Sequence, residues 1–413
     1  FLAVTDHNHS GAGMSLPNYA LGLSQAATAN SDGNFVAIYG QEWGFAANGH
    51  VNIFEAPVLF GWEAGNYNVF VAEGDYAGLY TAALANPPPA YPVVLLWCHP
   101  ALGDYNSLQL TNDGRSAVHL MCLVNGPATS SASDESDVGN TGFDAAFIEA
   151  LRKGYRVSPT ADQDNHNATW GASTESRTGV LANAKSKSAI LGAMAASRTY
   201  ATQDHNAVVK FSADGHTLGE AFTATQGVRI AIEVSDPDPA DAIAQIDLFR
   251  GITGTSTAVR VAGSTGNAAF HWRELDVFAD GTEVHYYLRV RMADNQNIWT
   301  GPVYVTYEAA SPVAIGDLPL PGSGLTLSAR PNPTREGLTV EFTLPRDEAG
   351  SLAVYDLSGR RLRTLLSGAL AAGPHTMIWD GLAEVGIRPS AGIFFLRLQT
   401  ETGRIERKVL LLR

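Results

Sequence analysis

Phe1-Leu2-Ala3-Val4-Thr5-Asp6-His7-Asn8-His9 opens the chain. The apolar run, with Val4 and Thr5 β-branched, predicts a buried strand over Leu2–Thr5. A carboxylate and two imidazoles follow at its exit, where the strand fixes their direction and the next loop leaves them open to a ligand. With no initiator Met and no leader-like segment ahead of that strand, the chain reads as a fragment whose missing front end belongs to the same site.

Outward from this stretch, short apolar strands alternate with helical patterns as far as residue 206. The strands are predicted at Leu2–Thr5, Phe35–Tyr39, Val93–Trp97, Val118–Val124 and Tyr155–Pro159, and the helices near Ser15–Ala29, Gly142–Lys153 and Ser186–Ala196. Such alternation predicts an α/β domain with a mainly parallel sheet or barrel, in which ligands collect at the C-terminal ends of strands. From Ala207 the pattern becomes alternating strands with Gly-rich turns, predicting an all-β sandwich over 207–308. A Pro- and Gly-rich linker is expected over 309–323, and a second all-β module over 324–413.

Composition narrows the function. Of 413 residues, 45% are hydrophobic and 16% are charged, a balance typical of exported, strand-rich proteins. The formal charge is −14. Residues 324–413 carry 12 Lys and Arg against 9 Asp and Glu, or +3, which leaves −17 for residues 1–323. Nucleic-acid backbone binding is therefore not expected, whereas an acidic body attracts cations. No apolar stretch approaches the roughly 20 residues that span a bilayer. Cys98 and Cys122 sit in apolar runs as small buried hydrophobes, although a disulfide between them stays open.

Seven of the eleven histidines precede residue 206. Gln41-Glu42 and then Gly49-His50-Val51-Asn52 follow the second strand, Cys98-His99-Pro100 closes the third, and Asp162-Gln163-Asp164-Asn165-His166 follows the fifth. Imidazoles and carboxylates at four strand exits suit a multinuclear divalent site, with Glu42 as the candidate bridge. Walker loops, nucleophile elbows, paired Cys-x-x-Cys knuckles and zincin helices are absent from the sequence.

Taken in order, Thr5-Asp6-His7, Gln41-Glu42, Gly49-His50-Val51-Asn52, Cys98-His99-Pro100 and Asp164-Asn165-His166 resemble the motifs of the PHP (polymerase and histidinol phosphatase) superfamily, nearest its secreted CehA/McbA-type branch. The resemblance implies a distorted (β/α)7 barrel with its first strand missing, followed by two all-β sandwich domains. It also implies up to three Zn, Mn or Fe ions held through nine ligands, six of them present. Glu42 would bridge two ions, Asp164 would hold the first, His50 and His99 the second, and His7 and His166 the third. The other three ligands would precede Phe1.

Asp6, His9, Asn52, Asp162 and Arg177 surround these motifs. Asp6 or Asp162 is expected to orient ligand imidazoles, His9 to stand just outside the ligands, and Arg177 either to clamp an anionic substrate or to form a structural ion pair. His205, in Thr202-Gln203-Asp204-His205-Asn206, is expected to be structural. The Pro331-Asn332-Pro333 and Asp356-Leu357-Ser358-Gly359 turns of the tail resemble FlgD-like immunoglobulin-type modules and type IX secretion sorting domains, implying export or surface attachment through that machinery.

The sequence thus reads as a secreted metal-dependent hydrolase that activates water, with a phosphoester as the leading substrate. A carboxyl-ester or carbamate hydrolase and a non-catalytic binding protein are the alternatives.

Overall fold

Leu2–His7 is the edge strand of a seven-stranded sheet in the computed structural model. The structure describes residues 1–413 except 226, 239–240, 275, 309–324, 358, 385–387, 402 and 413. The expected linker over 309–323 lies outside the described residues. Two compact units divide the chain, 1–310 and 311–413.

In the seven-stranded sheet, Leu2–His7 pairs in parallel with Ala37–Phe45. That strand turns through Asn48, whose N–H donates to the Phe45 carbonyl at 3.0 Å, and returns antiparallel as Gly49–Phe54. Leu95–Cys98 is antiparallel to Gly49–Phe54, while Leu95–Cys98, Val118–Asn125 and Ser158–Asp162 run parallel to one another. Asn140–Thr141 adds a short antiparallel edge.

This overturns the expected (β/α)7 barrel. The described residues hold twenty-eight strands against six α-helices, spread over several separate sheets. The physical reason lies between Phe45 and Gly49. A parallel neighbour needs a crossover of a dozen or more residues, whereas three residues permit only a hairpin. The sheet is consequently mixed, and it does not close into a barrel of alternating strands and helices.

Both faces of the sheet are buried. Trp43, Val51, Ile53, Trp97 and Met121 pack on one side, and Ile38, Phe54, Leu96, Leu120, Ile190 and Met194 on the other. Cys98 and Cys122 lie in the second cluster as free, buried thiols.

A second sheet of eight strands joins Arg177–Val180 and Thr199–Thr202 to Asn297–Thr300, Thr282–Met292, Ile243–Ile252 and Ser256–Thr265, with Ala221–Ala224 and Val303–Tyr307 alongside. Strands on both sides of residue 206 therefore share it. Its Leu248, Tyr286 and Val290 pack against Val209, Phe211, Ile230 and Ile232 of a four-stranded sheet. Its Trp299 joins the first core, where the indole donates to Asp144 at 2.7 Å.

The other unit carries a three-stranded sheet, Thr326–Arg330, Leu338–Leu344 and Gly373–Trp379. Its four-stranded sheet is built from Arg361–Leu370, Glu348–Tyr355, Gly392–Thr400 and Arg404–Leu411. Val340, Phe342, Leu352, Trp379 and Leu396 fill its core. Among the described residues, no helix is long and apolar enough to cross a membrane.

Candidate metal centre

One edge of the seven-stranded sheet gathers the chemistry. Strands Leu2–His7, Leu95–Cys98 and Ser158–Asp162 end there, and the hairpin begins its return strand there, bringing His50 to the same rim. The reversal that breaks the barrel is thus what delivers His50.

Glu42 is buried at the centre of this rim. One carboxylate oxygen lies 2.9 Å from His50 Nδ1 and the other 3.7 Å from His7 Nδ1. His50 Nδ1 is 3.3 Å from His99 Nε2, and His7 Nε2 is 3.5 Å from His166 Nε2. All six expected ligands are therefore in one place, as two imidazole pairs with Glu42 between them. Asp164 adjoins the second pair, 3.7 Å from His166 Nδ1.

The rim is braced from beneath. The Tyr105 hydroxyl donates to the carbonyls of His50 at 2.9 Å and Cys98 at 2.8 Å, tying together the two strands that carry the first pair. Its ring stacks on Trp97 at 4.5 Å. Gly49, at φ +97°, leaves the space: a Cβ there would stand 2.7 Å from the Tyr105 ring. His99 and Asp164 hold φ of +35° and +49°, conformations an L residue adopts only when its surroundings impose them.

The tautomer of His166 follows from its contacts. Its Nδ1 lies 2.8 Å from the Asp164 carbonyl, which can only accept, so Nδ1 carries the proton and the Nε2 lone pair faces His7. The Asn125 amide donates to Asp164 Oδ2 at 3.0 Å and orients that carboxylate. Burial, then the neighbouring imidazoles His50, His9 and His166, push the His7 pKa below its ordinary value against the pull of Glu42. Burial opposes ionisation of Glu42, but the hydrogen bond and charge of His50, with His7 and His99, hold its pKa below the usual carboxylate value. Near neutrality His7 is therefore neutral and Glu42 ionised, the form in which each can serve as a ligand.

These residues fit a divalent cation. His7 Nδ1 is shielded from solvent and has no hydrogen-bond partner, so the ring is left unsatisfied by the protein alone, as expected of a side chain that meets a cation. His7, Glu42 and His50 each present a ligand atom within 4.8 Å of the others.

The surrounding residues sort differently. Asp6 does not orient a ligand imidazole: successive strand residues face opposite ways, and its carboxylate accepts from the Tyr39 hydroxyl at 2.7 Å. His9 is close, its ring centroid 5.4 Å from that of His7. Asn52 faces Glu42 across the hairpin register. The Asp162 carboxylate accepts from Thr160 at 3.3 Å, and burial with the nearby Asp164 and Glu42 charges pushes its pKa up to about 7 despite bonds from Cys122 and Thr160. Arg177 pairs with Glu135 and donates to the carbonyls of Thr174 and Ser176, so it is a structural ion pair and not a free clamp. His205 is exposed, 4.0 Å from Asp238. Sequence reading missed Tyr105 and Asn125, whose partners His50 and Asp164 lie 55 and 39 residues away.

No family model and no curated protein matches the chain. Among solved structures it is similar to dimeric latent PorU from Porphyromonas gingivalis, at 15% identity over 50% of this chain and 20% of that one, with a TM-score of 0.19. A native α-L-rhamnosidase from Aspergillus terreus matches at 12% identity over 49% of this chain and 28% of that one, TM-score 0.21. The D00-D0 domain of intimin matches at 11% identity over 50% of this chain and all of that one, TM-score 0.17. The chain spans about a fifth of PorU and just over a quarter of the rhamnosidase. At such TM-scores neither fold nor activity carries over, and the rim stands on its own chemistry.

Proposed function

We propose that the rim is the active site of a divalent-metal-dependent hydrolase that acts on phosphoesters. The observation that carries this reading is Glu42 set between two imidazole pairs, a carboxylate with one oxygen toward each. His50 and His99 would hold one ion, His7, His166 and Asp164 another, and Zn, Mn and Fe all suit such donors. Ions in that position supply Lewis acidity, lowering the pKa of water and neutralising charge on a reacting ester. The chain's own part is positional. Tyr105 fixes the strands of His50 and His99, Asn125 turns Asp164, and the Asp164 carbonyl sets the His166 tautomer.

A carboxyl ester or carbamate is the second reading, and Arg177 favours it. With its guanidinium committed to Glu135, it offers no fork to a phosphate. Hydrolysis of a phosphodiester, a phosphomonoester and an aryl acetate by the zinc- or manganese-loaded chain tests both. Phosphoester turnover that Glu42→Ala abolishes is expected; aryl acetate turnover alone would replace the substrate assignment, and none at all would remove the enzyme reading. Export through residues 324–413 belongs to the same proposal and rests on the turn motifs of that unit.

A further inference from the structure

The four-stranded sheet that packs on the eight-stranded one carries on its outer face a hollow of about 630 Å³, within the size range of small-molecule sites. Strand Val208–Ala213 continues through the Asp214-Gly215 turn to His216–Thr217, and Arg229–Ser235 lies between it and the edge strand Ala269–Arg273. Ile230 and Ile232 point into the core, so Arg229, Ala231 and Glu233 face outward. Ala231, with its short side chain, floors the hollow: Ser212 stands opposite it on one neighbouring strand and His271 on the other. Arg229 and Arg273 form the next pair on that face, each directly opposite the other.

Like charges directly opposite on antiparallel strands repel. Elsewhere on the same face the opposed pair is Lys210 with Glu233, an ion pair of 2.9 Å. Most other arginines of residues 1–310 also meet a carboxylate, Arg115, Arg156, Arg177, Arg198, Arg250 and Arg260 among them. Arg229 and Arg273 are exposed, and among the described residues neither guanidinium has an ion pair or a hydrogen-bond partner. Asp214 brings the one carboxylate that lines the hollow among the described residues, and its Oδ1 accepts the Arg229 backbone N–H at 3.0 Å. The hollow is therefore net positive on a chain whose formal charge is −14.

We propose that this hollow binds the phosphate or sulfate group of a small anionic ligand. A tetrahedral oxyanion between the two guanidinium forks takes charge-assisted N–H bonds from both and relieves their repulsion. The Ser212 hydroxyl and a ring N–H of His271 stand on the same face as further donors. The hollow has room beyond the oxyanion, so the ligand carries an organic part as well. The site is separate from the rim, which belongs to the seven-stranded sheet, and it does not depend on hydrolysis there.

The test is isothermal titration of the full chain, stripped with chelator so that the rim cannot hold an anion through metal. Inorganic phosphate, sulfate and chloride are compared at one ionic strength. Phosphate or sulfate is expected to bind and chloride not, and the tighter of the two tells whether the natural group is a phosphate or a sulfate ester. Arg229→Gln and Arg273→Gln are each expected to weaken that binding roughly tenfold or more, while Glu42→Ala leaves it unchanged. If a glutamine variant fails to fold, Arg273→Lys, which keeps the charge and loses the fork, carries the same comparison with a smaller loss. No binding of either oxyanion, chloride bound as tightly as they are, or an unchanged affinity in the arginine variants would each overturn the assignment.

Discussion

His7 and His166 face each other through their Nε2 atoms at 3.5 Å, although 159 residues separate them in the chain. The proton of His166 sits on Nδ1, bound to the Asp164 carbonyl. Its Nε2 lone pair is thus directed at a second imidazole nitrogen, which is repulsive unless one of the two nitrogens carries a proton or both share a cation.

Removing Glu42 should empty at least part of the rim. Glu42→Ala is expected to lose at least one metal equivalent by elemental analysis, since both of its oxygens face imidazoles. Full retention of metal would defeat the bridging role.

Asn125 should matter only through Asp164. Asn125→Ala removes the donor to Asp164 Oδ2, and losing such an orienting bond typically weakens metal affinity by roughly 10- to 100-fold. Competitive chelator titration measures it. An unchanged affinity would show that the Asp164 carboxylate orients itself.

Tyr105→Phe keeps the stack on Trp97 but removes the buried hydroxyl that bridges the His50 and Cys98 carbonyls. A loss of about 1–3 kcal/mol is expected in chemical denaturation of the metal-free chain. Metal affinity should fall as well, because His50 and His99 sit on the strands this hydroxyl ties together.

Acid should weaken the 1–310 unit through His285. Burial pushes its pKa down from 6.5 to about 4, and its Nδ1 has no partner. Because the folded value is the lower one, the contribution is complete above pH 6.5 and is lost as pH falls from 6.5 toward 4, to a total of about 3 kcal/mol. His285→Phe should flatten this part of the stability profile, read by denaturant midpoints at several pH values. An unchanged slope would place the proton uptake elsewhere.

Much of the strand pattern could be read before the fold was known. The expected strand at Val118–Val124 appears as Val118–Asn125, and the expected helix at Ser15–Ala29 as Leu16–Ala29. The hairpin was hidden because Gln41 and Glu42 look like loop residues yet are buried in the strand Ala37–Phe45. Gln41 manages this with partners nineteen and seventeen residues on, accepting from the Phe60 N–H and donating to the Val58 carbonyl, each at 2.9 Å. Polarity within a strand is tolerated when distant backbone satisfies it, which local patterning does not record. Asp6 was legible and misjudged: a strand that aims His7 at the site must aim Asp6 away from it. Strands Ser256–Thr265 and Arg361–Leu370 lie at sheet edges, where one side needs no partner and apolar alternation fades.

Anomalous X-ray scattering from crystals of the full chain loaded with zinc or manganese decides whether the rim holds metal. One peak is expected among Glu42, His50 and His99 and another among Glu42, His7, His166 and Asp164. A rim without anomalous density, in crystals whose solution carries saturating metal, would contradict the metal assignment.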